Sequence, residues 1–497
     1  MTGTYVDANE KTQFSPFKVA EISQEKITVI ARMLLFIVVL LQQLDPGYEH
    51  GRLHALSSLG SRTERILSTV NALVTSDDEL VTSMEGLEGL VLQGIYHLNA
   101  GSPRRAWLIF RRALSIGQLM GLQKRSASAV SPNARNMWHL IVRGDRYVAL
   151  LLGLPAGSCE DKYEADENFQ NPDIDKDDLF QRKLSEISLR IIERNQSENT
   201  PVYAATQEID ELLETLGKEM PDSWWEIPTH ISDERSQGTS KQFDRLMVQI
   251  WYFQLQGLVH LPFMLRAATE RRYDYSRFSC LKAYREVMWR YLAIRGLNNH
   301  SFCYKMVDFG ALTATVALFL GLLDPSQSAE NSHQRDSDRT MINGVLHTME
   351  GFANNTNETI AAQSVNVIKS LLAIDQQSAG GDGGNLRLTI PYFGTISIVR
   401  PASNQSSRTE DANPNMPVFP SPQSITVGQN NPSEPWEGIS PSNHNPMTFP
   451  TVSFTSCQFN PMVPEQPVIA DFGWADADTL YFGSLLNTDI DGNWMFQ

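Results

Sequence analysis

Between Gly86 and Pro155 the chain sets apolar helical runs between glycines and prolines at fixed places, reading GLEGLVLQGIYHLNAGSPRRAWLIFRRALSIGQLMGL and then RNMWHLIVRGDRYVALLLGLP. That punctuation allows little besides packed helices. A helix from about Glu79 to Asn99 stops at Ala100-Gly101. Ser102 then stands where a cap belongs, and Pro103 suits the first helical position because its missing N–H needs no partner there. Gly121 can close this helix. Along it Ala106, Ile109, Phe110, Ala113, Leu114 and Met120 recur at three- and four-residue steps, giving one apolar stripe. A helix carrying Trp138, Ile141, Val142, Val148 and Leu152 repeats the pattern after Ser131-Pro132.

The same reading extends over most of residues 17–374. Ile22–Leu44 is one apolar helix closed by Asp45-Pro46-Gly47, and a second runs from about Arg62 to Val74. Later helices are expected at Phe243–Ala268, Cys280–Leu297, Phe302–Leu323, Arg339–Ala353 and Glu358–Ile374. The predicted fold is therefore mainly α, a helical domain over residues 17–375 behind a disordered segment 1–16. Gly380–Gly384 forms a break, and LRLTI and TISIV alternate with the period of strands, so a β hairpin falls within 376–400. Residues 401–470 hold 13 of the 25 prolines among Ser, Asn and Gln, without helical periodicity. Such a stretch buries too little apolar surface to offset its ordering entropy and is expected to be disordered.

The residues of the central pair resemble the regulatory middle domain of fungal zinc-cluster transcription factors. Gly101, Pro103, Arg104, Arg105, Ala106 and Trp107 are similar to that family's G-x-x-R-x-A-W element. Trp138, Asp145, Arg146, Tyr147, Gly153 and Pro155 are similar to its W-W…D-R-x…L-G-x-P element. The resemblance implies an all-helical regulatory domain, no enzyme activity, nuclear localisation, and control of a pathway or secondary-metabolite gene cluster. It implies transcription machinery or coactivators as partners, and homo- or heterodimers with related regulators. The family reads DNA through a six-cysteine zinc cluster ahead of this domain. Here no cysteine precedes Cys159, so zinc is expected only with an upstream cluster, and DNA contact only if one is supplied upstream or by a partner. No cofactor is expected in this chain. A non-DNA-binding co-regulator or inhibitor of a full-length relative is one alternative; a helical enzyme of terpenoid type is another.

Charge agrees with that restriction. The net charge is −16, which repels nucleic acid. Ten acids and one base in residues 401–497 supply −9 of it. Four scattered cysteines, Cys159, Cys280, Cys303 and Cys457, give no disulfide framework and point to a reducing compartment. The apolar runs Met33–Leu41 and Phe309–Leu323 fall short of the roughly 20 residues that span a bilayer. They are expected to be core helices, with no membrane partner.

Several polar groupings invite sharper readings. Asp145 sits beside an apolar helix face, where a carboxylate needs a cation or a donor. Arg104, Arg105 or Arg146 are the expected partners, in an ion pair that docks two helices or in a small-molecule effector pocket. The acidic run Glu160–Asp178 fails as a calcium loop, since Asp178 stands where glycine belongs. Asp177-Asp178 also lacks the last aspartate of a terpene-synthase magnesium site, so the run is expected to be a solvated loop. His50 and His54 lack a third ligand nearby, and no metal is expected. No nucleophile elbow, phosphate loop or dinucleotide fingerprint occurs. The pairs Arg104-Arg105 and Arg111-Arg112 mimic a split nuclear-import signal, but as part of an amphipathic helix they are expected to decorate its exposed flank. Finally, residues 471–497 alternate aromatics and aliphatics, Phe472, Trp474, Tyr481, Phe482, Leu485 and Leu486 among them, with five aspartates. That is the composition of an acidic activation segment that docks in a coactivator groove, or of a tail that packs on its own domain.

Overall fold

The computed structural model describes residues 22–43, 59–123, 132–158, 175–197, 203–228, 237–267, 270–296, 305–323, 332–356, 359–376, 385–390 and 394–399. The expected segments 1–16, 401–470 and 471–497 lie outside them. Helices dominate the described residues, as the punctuation predicts. In chain order they are α1 (Ile27–Gln42), α2 (Leu59–Val70), α3 (Asp78–Val81), α4 (Met84–Asn99), α5 (Pro103–Leu119), α6 (Pro132–Leu152), α7 (Lys176–Gln196), α8 (Tyr203–Lys218), α9 (Asp222–Trp225), α10 (Gln237–Ala267), α11 (Asp274–Arg295), α12 (Lys305–Leu323), α13 (Ser332–Thr356) and α14 (Thr359–Gln376). Strands β1 (Asn385–Ile390) and β2 (Gly394–Val399) then pair antiparallel, Leu388 opposite Ile396, as the alternation predicts.

Two boundaries differ from the sequence reading. The helix expected from Glu79 to Asn99 is split into α3 and α4, because Asp77 caps the first through the N–H groups of Glu79 and Leu80 and Ser83 caps the second through Gly86 N–H. The second helix also ends early, in a single π turn at Asn71–Thr75. Helices α7 and α8 fall within the expected helical span but have no bounds in the sequence reading. Helix α7 starts inside the acidic run expected to be a loop: Asp175 accepts from Asp177 N–H as its cap, and Asp177 and Asp178 occupy the first turn, where the helix dipole favours them.

Glycine decides how α4, α5 and α6 end. Gly101, Gly121 and Gly153 have φ of 77°, 76° and 67°, a region costly for any side chain with a Cβ. After α4 the Gly101 N–H reaches Leu98 O and the Ser102 N–H reaches His97 O. After α5 the bonds run Gly121 to Gln118 and Leu122 to Gly117; after α6, Gly153 to Leu150 and Leu154 to Ala149. Each is the paired C-terminal motif that satisfies the last carbonyls. Pro103 takes the first position of α5 as expected, whereas the Ser102 side chain makes no cap hydrogen bond.

The core has three main parts. Helices α4–α6 enclose one, around Leu87, Phe110, Met137 and Ile141. Helices α7–α10 with the end of α6 enclose a second, around Phe180, Leu213 and Leu255. Helices α10–α14 form the third, around Tyr284, Leu318 and Ile342. Helix α6 reaches from the first part to the second, and α12 from the first to the third. Helix α12 is in fact apolar and long enough to cross a membrane, so the length argument against it does not hold. Burial of 78% of its apolar window identifies it as a core helix.

Candidate functional site

Helix α5 crosses α4 and α6 very closely, and one aromatic ring shows how. Phe110 lies between Gly94 of α4 and Gly144 of α6. A Cβ added at Gly94 would come within 2.8 Å of the ring, and one at Gly144 would overlap it. Trp138 packs in the same manner on Gly117, 3.3 Å from where a Cβ would stand. These glycines hold the three helices at ring-thickness separation.

That crossing brings the motif residues together. Asp145 is wholly buried, and its Oδ1 lies 2.6 Å from Arg111 Nε. Its Oδ2 accepts the Gly157 N–H at 2.7 Å, and the Arg111 guanidinium also donates to Pro155 O. Arg111 further covers the Trp107 ring, 4.8 Å from its centroid. Arg146, also wholly buried, donates to Ser158 O at 3.1 Å. One carboxylate thus clasps α5, α6 and the loop after Gly153. Burial pushes the Asp145 carboxyl above the ordinary carboxylate value, against the Gly157 hydrogen bond and the charges of Arg111 and Arg146.

The docking ion pair was therefore legible, but its partner was not. Arg111 makes the contact instead of Arg104 or Arg105, and Arg146 contributes charge beside it. Arg111-Arg112 is not a free basic pair either: Arg112 bridges to Asp78 at 2.7 Å and donates to Thr75 O. Arg104 is exposed at the start of α5, and Arg105 helps burial lower His97 from 6.5 to about 4. Gly101 and Gly153 serve as helix ends, Ala106 is a buried residue of α5, and Tyr147 meets Trp251 edge-on at 6.0 Å.

Elsewhere the acidic run is tied up rather than solvated at its end. Asp178 pairs with Arg182 at 2.6 Å, and Asp177 accepts Trp224 Nε1–H at 2.8 Å. His50 and His54 lie outside the described residues, as do Phe472, Trp474, Tyr481, Phe482, Leu485 and Leu486. Among the described residues no group of three or more His, Cys, Asp or Glu is placed to hold a metal ion.

One constellation escaped the sequence reading. Asp210 Oδ1 lies 3.0 Å from His260 Nε2, and His260 Nδ1 lies 3.2 Å from Ser276 Oγ. The order is that of an acyl-transfer triad, yet Ser276 and His260 are 0% and 1% exposed. Nucleophilic attack needs room for a carbonyl at the serine. Tyr275 also donates to Asp210 Oδ2 at 2.6 Å. Burial pushes the Asp210 carboxyl up, and the hydrogen bonds from His260 and Tyr275 outweigh it, leaving the group below its ordinary value. The row joins α8, α10 and α11 as a structural network. Three residues 50 and 16 positions apart carried no local motif.

Sequence comparison relates this chain to known proteins. The chain is 35% identical over 434 residues to "Transcription factor sdnS" of Sordaria araneosa, covering 80% of this chain and 55% of that protein. It is 33% identical over 426 residues to the "Dehydrocurvularin biosynthesis regulator" of Alternaria cinerariae, 77% of this chain and 54% of that one. The protein of the same description from Aspergillus terreus is 33% identical over 440 residues, 81% and 59%. The chain is a homologue of fungal transcription regulators. It spans little more than half the length of these relatives. No family model and no solved structure matches it.

Proposed function

We propose that this chain is the helical regulatory portion of a fungal pathway-specific transcription regulator that acts in the nucleus on a secondary-metabolite gene cluster. The observation that carries the reading is the likeness over about four fifths of the chain to proteins described as transcription factors and biosynthesis regulators. The site chemistry supports it. The motif residues build an ionic clasp between two helices and the loop that follows them, which suits a domain that transmits position rather than one that turns over substrate. Partners would be coactivators or transcription machinery, with Phe472, Trp474, Tyr481, Phe482, Leu485 and Leu486 as anchors and the aspartates of 471–497 keeping them solvated. Related regulators are the proposed dimer partners, and DNA would be read only through a zinc cluster supplied upstream or in trans.

The test is disruption of the gene in its native host followed by transcript sequencing. A coordinated change in the transcripts of one contiguous biosynthetic locus is expected. Unchanged transcripts under conditions where the gene is expressed would overturn the reading.

A further inference from the structure

Helix α11 turns two unlike faces to its surroundings. Cys280, Tyr284, Val287, Met288 and Tyr291 are buried in the third part of the core. On the opposite side Tyr275, Phe278 and Trp289 are 54%, 64% and 50% exposed, and Lys282 is exposed between them. Steps of three, four and seven residues place these four in one stripe along the helix, about 21 Å from end to end. Exposed apolar side chains are ordinary when scattered, but three aromatic rings in one line mark a surface built to be covered.

The charge of this region runs against that of the chain. Arg271 to Arg295 hold seven bases and two acids, whereas the whole chain is at −16. Part of that charge is used inside the domain. Arg277 pairs with Asp274, Arg285 with Asp338, Arg290 with Glu286 and Arg295 with Asp308. Lys282, in the middle of the stripe, and Arg271, ahead of it, stay exposed. The cover that this face rewards is therefore apolar and acidic together.

We infer that this face of α11 is the docking surface for residues 471–497 of the same chain. That segment sets Phe472, Trp474, Tyr481, Phe482, Leu485 and Leu486 among five aspartates, with no base. Docking would take the rings of both surfaces out of water at once and bring the aspartates to Lys282 and Arg271. A second copy of the helix is a poorer cover, since it would lay one basic stripe on another. A basic, aromatic stripe could also attract a nucleic-acid strand, but the net charge of the chain opposes that. Reach is no obstacle. Residues 400–470 form the tether from β2, and at about 3.3 Å per residue it can extend to any face of the domain. A tethered segment is also present at a higher effective concentration than a free one. Docking would stand even if the chain proved not to regulate transcription. One copy of the segment cannot occupy this face and a coactivator groove at the same time.

Amide hydrogen exchange of the full chain, read by mass spectrometry against a synthetic 471–497 peptide, tests the inference. Amides of the segment should exchange at least about tenfold more slowly in the chain than in the free peptide, at any protein concentration. Phe278→Ser combined with Trp289→Ser removes two rings, and Lys282→Glu reverses the central charge. Each change should bring the segment to within about twofold of the free peptide. Tyr275 is left in place because its hydroxyl holds Asp210. The three altered positions are exposed, so the domain should still fold, which circular dichroism checks. Replacing the five aspartates with asparagine leaves the domain untouched and should cost at least about threefold of the protection, which serves if the face variants do not fold. A segment that exchanges like the free peptide, or protection that survives the folded face variants or the asparagine variant, would overturn the inference. Protection that falls on dilution would do so too, since it would assign the segment to a second copy.

Discussion

The crossing of α4, α5 and α6 and the helix α12 are both buried, but by opposite means. At the crossing, glycines thin the interface to one ring, and a single carboxylate fixes the angle through Arg111 and Gly157. Helix α12 has apolar residues on every side: Val307, Ala311, Leu312, Ala314, Val316, Leu318 and Phe319 are all buried. Its polar ties to other helices sit toward its ends: Asp308 takes a bidentate pair from Arg295 at 3.1 and 2.7 Å, and Leu322 O accepts from the Arg335 guanidinium at 2.7 Å. The first region specifies its geometry by what will not fit. The second specifies burial and leaves the details to packing, so it should tolerate change that the first does not.

Removal of Arg111 should produce the largest effect. Arg111→Ala leaves the Asp145 carboxyl buried without its cation, and losing one partner of a buried pair costs about 3–5 kcal/mol. Urea unfolding should show that loss; a cost under about 1 kcal/mol would mean that Arg146 alone suffices and that the clasp is redundant. Next comes Gly144→Ala. Its methyl group would overlap Phe110, and overpacking of this kind costs about 1–3 kcal/mol. A neutral result would show that α5 and α6 can move apart freely.

Acid should separate the two regions further. Burial, together with Arg105, lowers His97 from 6.5 to about 4. Burial, with the charges of Arg182, Arg135, Arg143 and Arg146, lowers His139 from 6.5 to about 3. The unfolded chain therefore takes up protons first. Stability held by the two neutral rings is complete above pH 6.5 and drains as pH falls, down to about 4 for His97 and about 3 for His139. Asp145, whose pKa is raised by burial, works in the opposite direction above the ordinary carboxylate value. Helix α12 contains no histidine. On lowering the pH from 7 to 5, amide exchange in α4–α6 should quicken before exchange in α12, and His139→Gln should flatten that response. Simultaneous quickening would mean that the whole domain opens as one unit.

The smallest effect belongs to α12. Leu318→Met keeps volume and apolar character at a wholly buried position, so it should cost less than about 1.5 kcal/mol. A larger loss would show that this helix is as tightly specified as the crossing.

The contrast also explains what could be read from the chain. Gly101, Gly121 and Gly153 end helices, and Pro103 begins one, because those residues act through their own backbone. The need of Asp145 for a cation was equally plain, since burial of a carboxylate is a local problem. Its choice of Arg111 was not, because the partner is set by where α5 crosses α6, and that depends on Phe110 fitting between Gly94 and Gly144. The bounds of helices α7 and α8 were missed for a related reason. The acidic opening of α7 resembles a loop until Asp175 is seen to cap it, and its polar face outweighs the stripe of Leu184, Ile187 and Ile191.

The three left-handed glycines also have a genetic side. Every glycine codon begins with the same two bases, and any amino-acid replacement made by changing one of them carries a Cβ. Alanine, valine, serine, cysteine, arginine, glutamate, aspartate and tryptophan are what such changes supply. Asparagine, which tolerates this backbone region best after glycine, requires two changes. At Gly101, Gly121 and Gly153 the genetic code therefore offers almost no gentle neighbour, and aspartate is the nearest to one. Replacements at these three turns should be purged from a population more evenly than replacements in α12, where one base often exchanges one aliphatic residue for another.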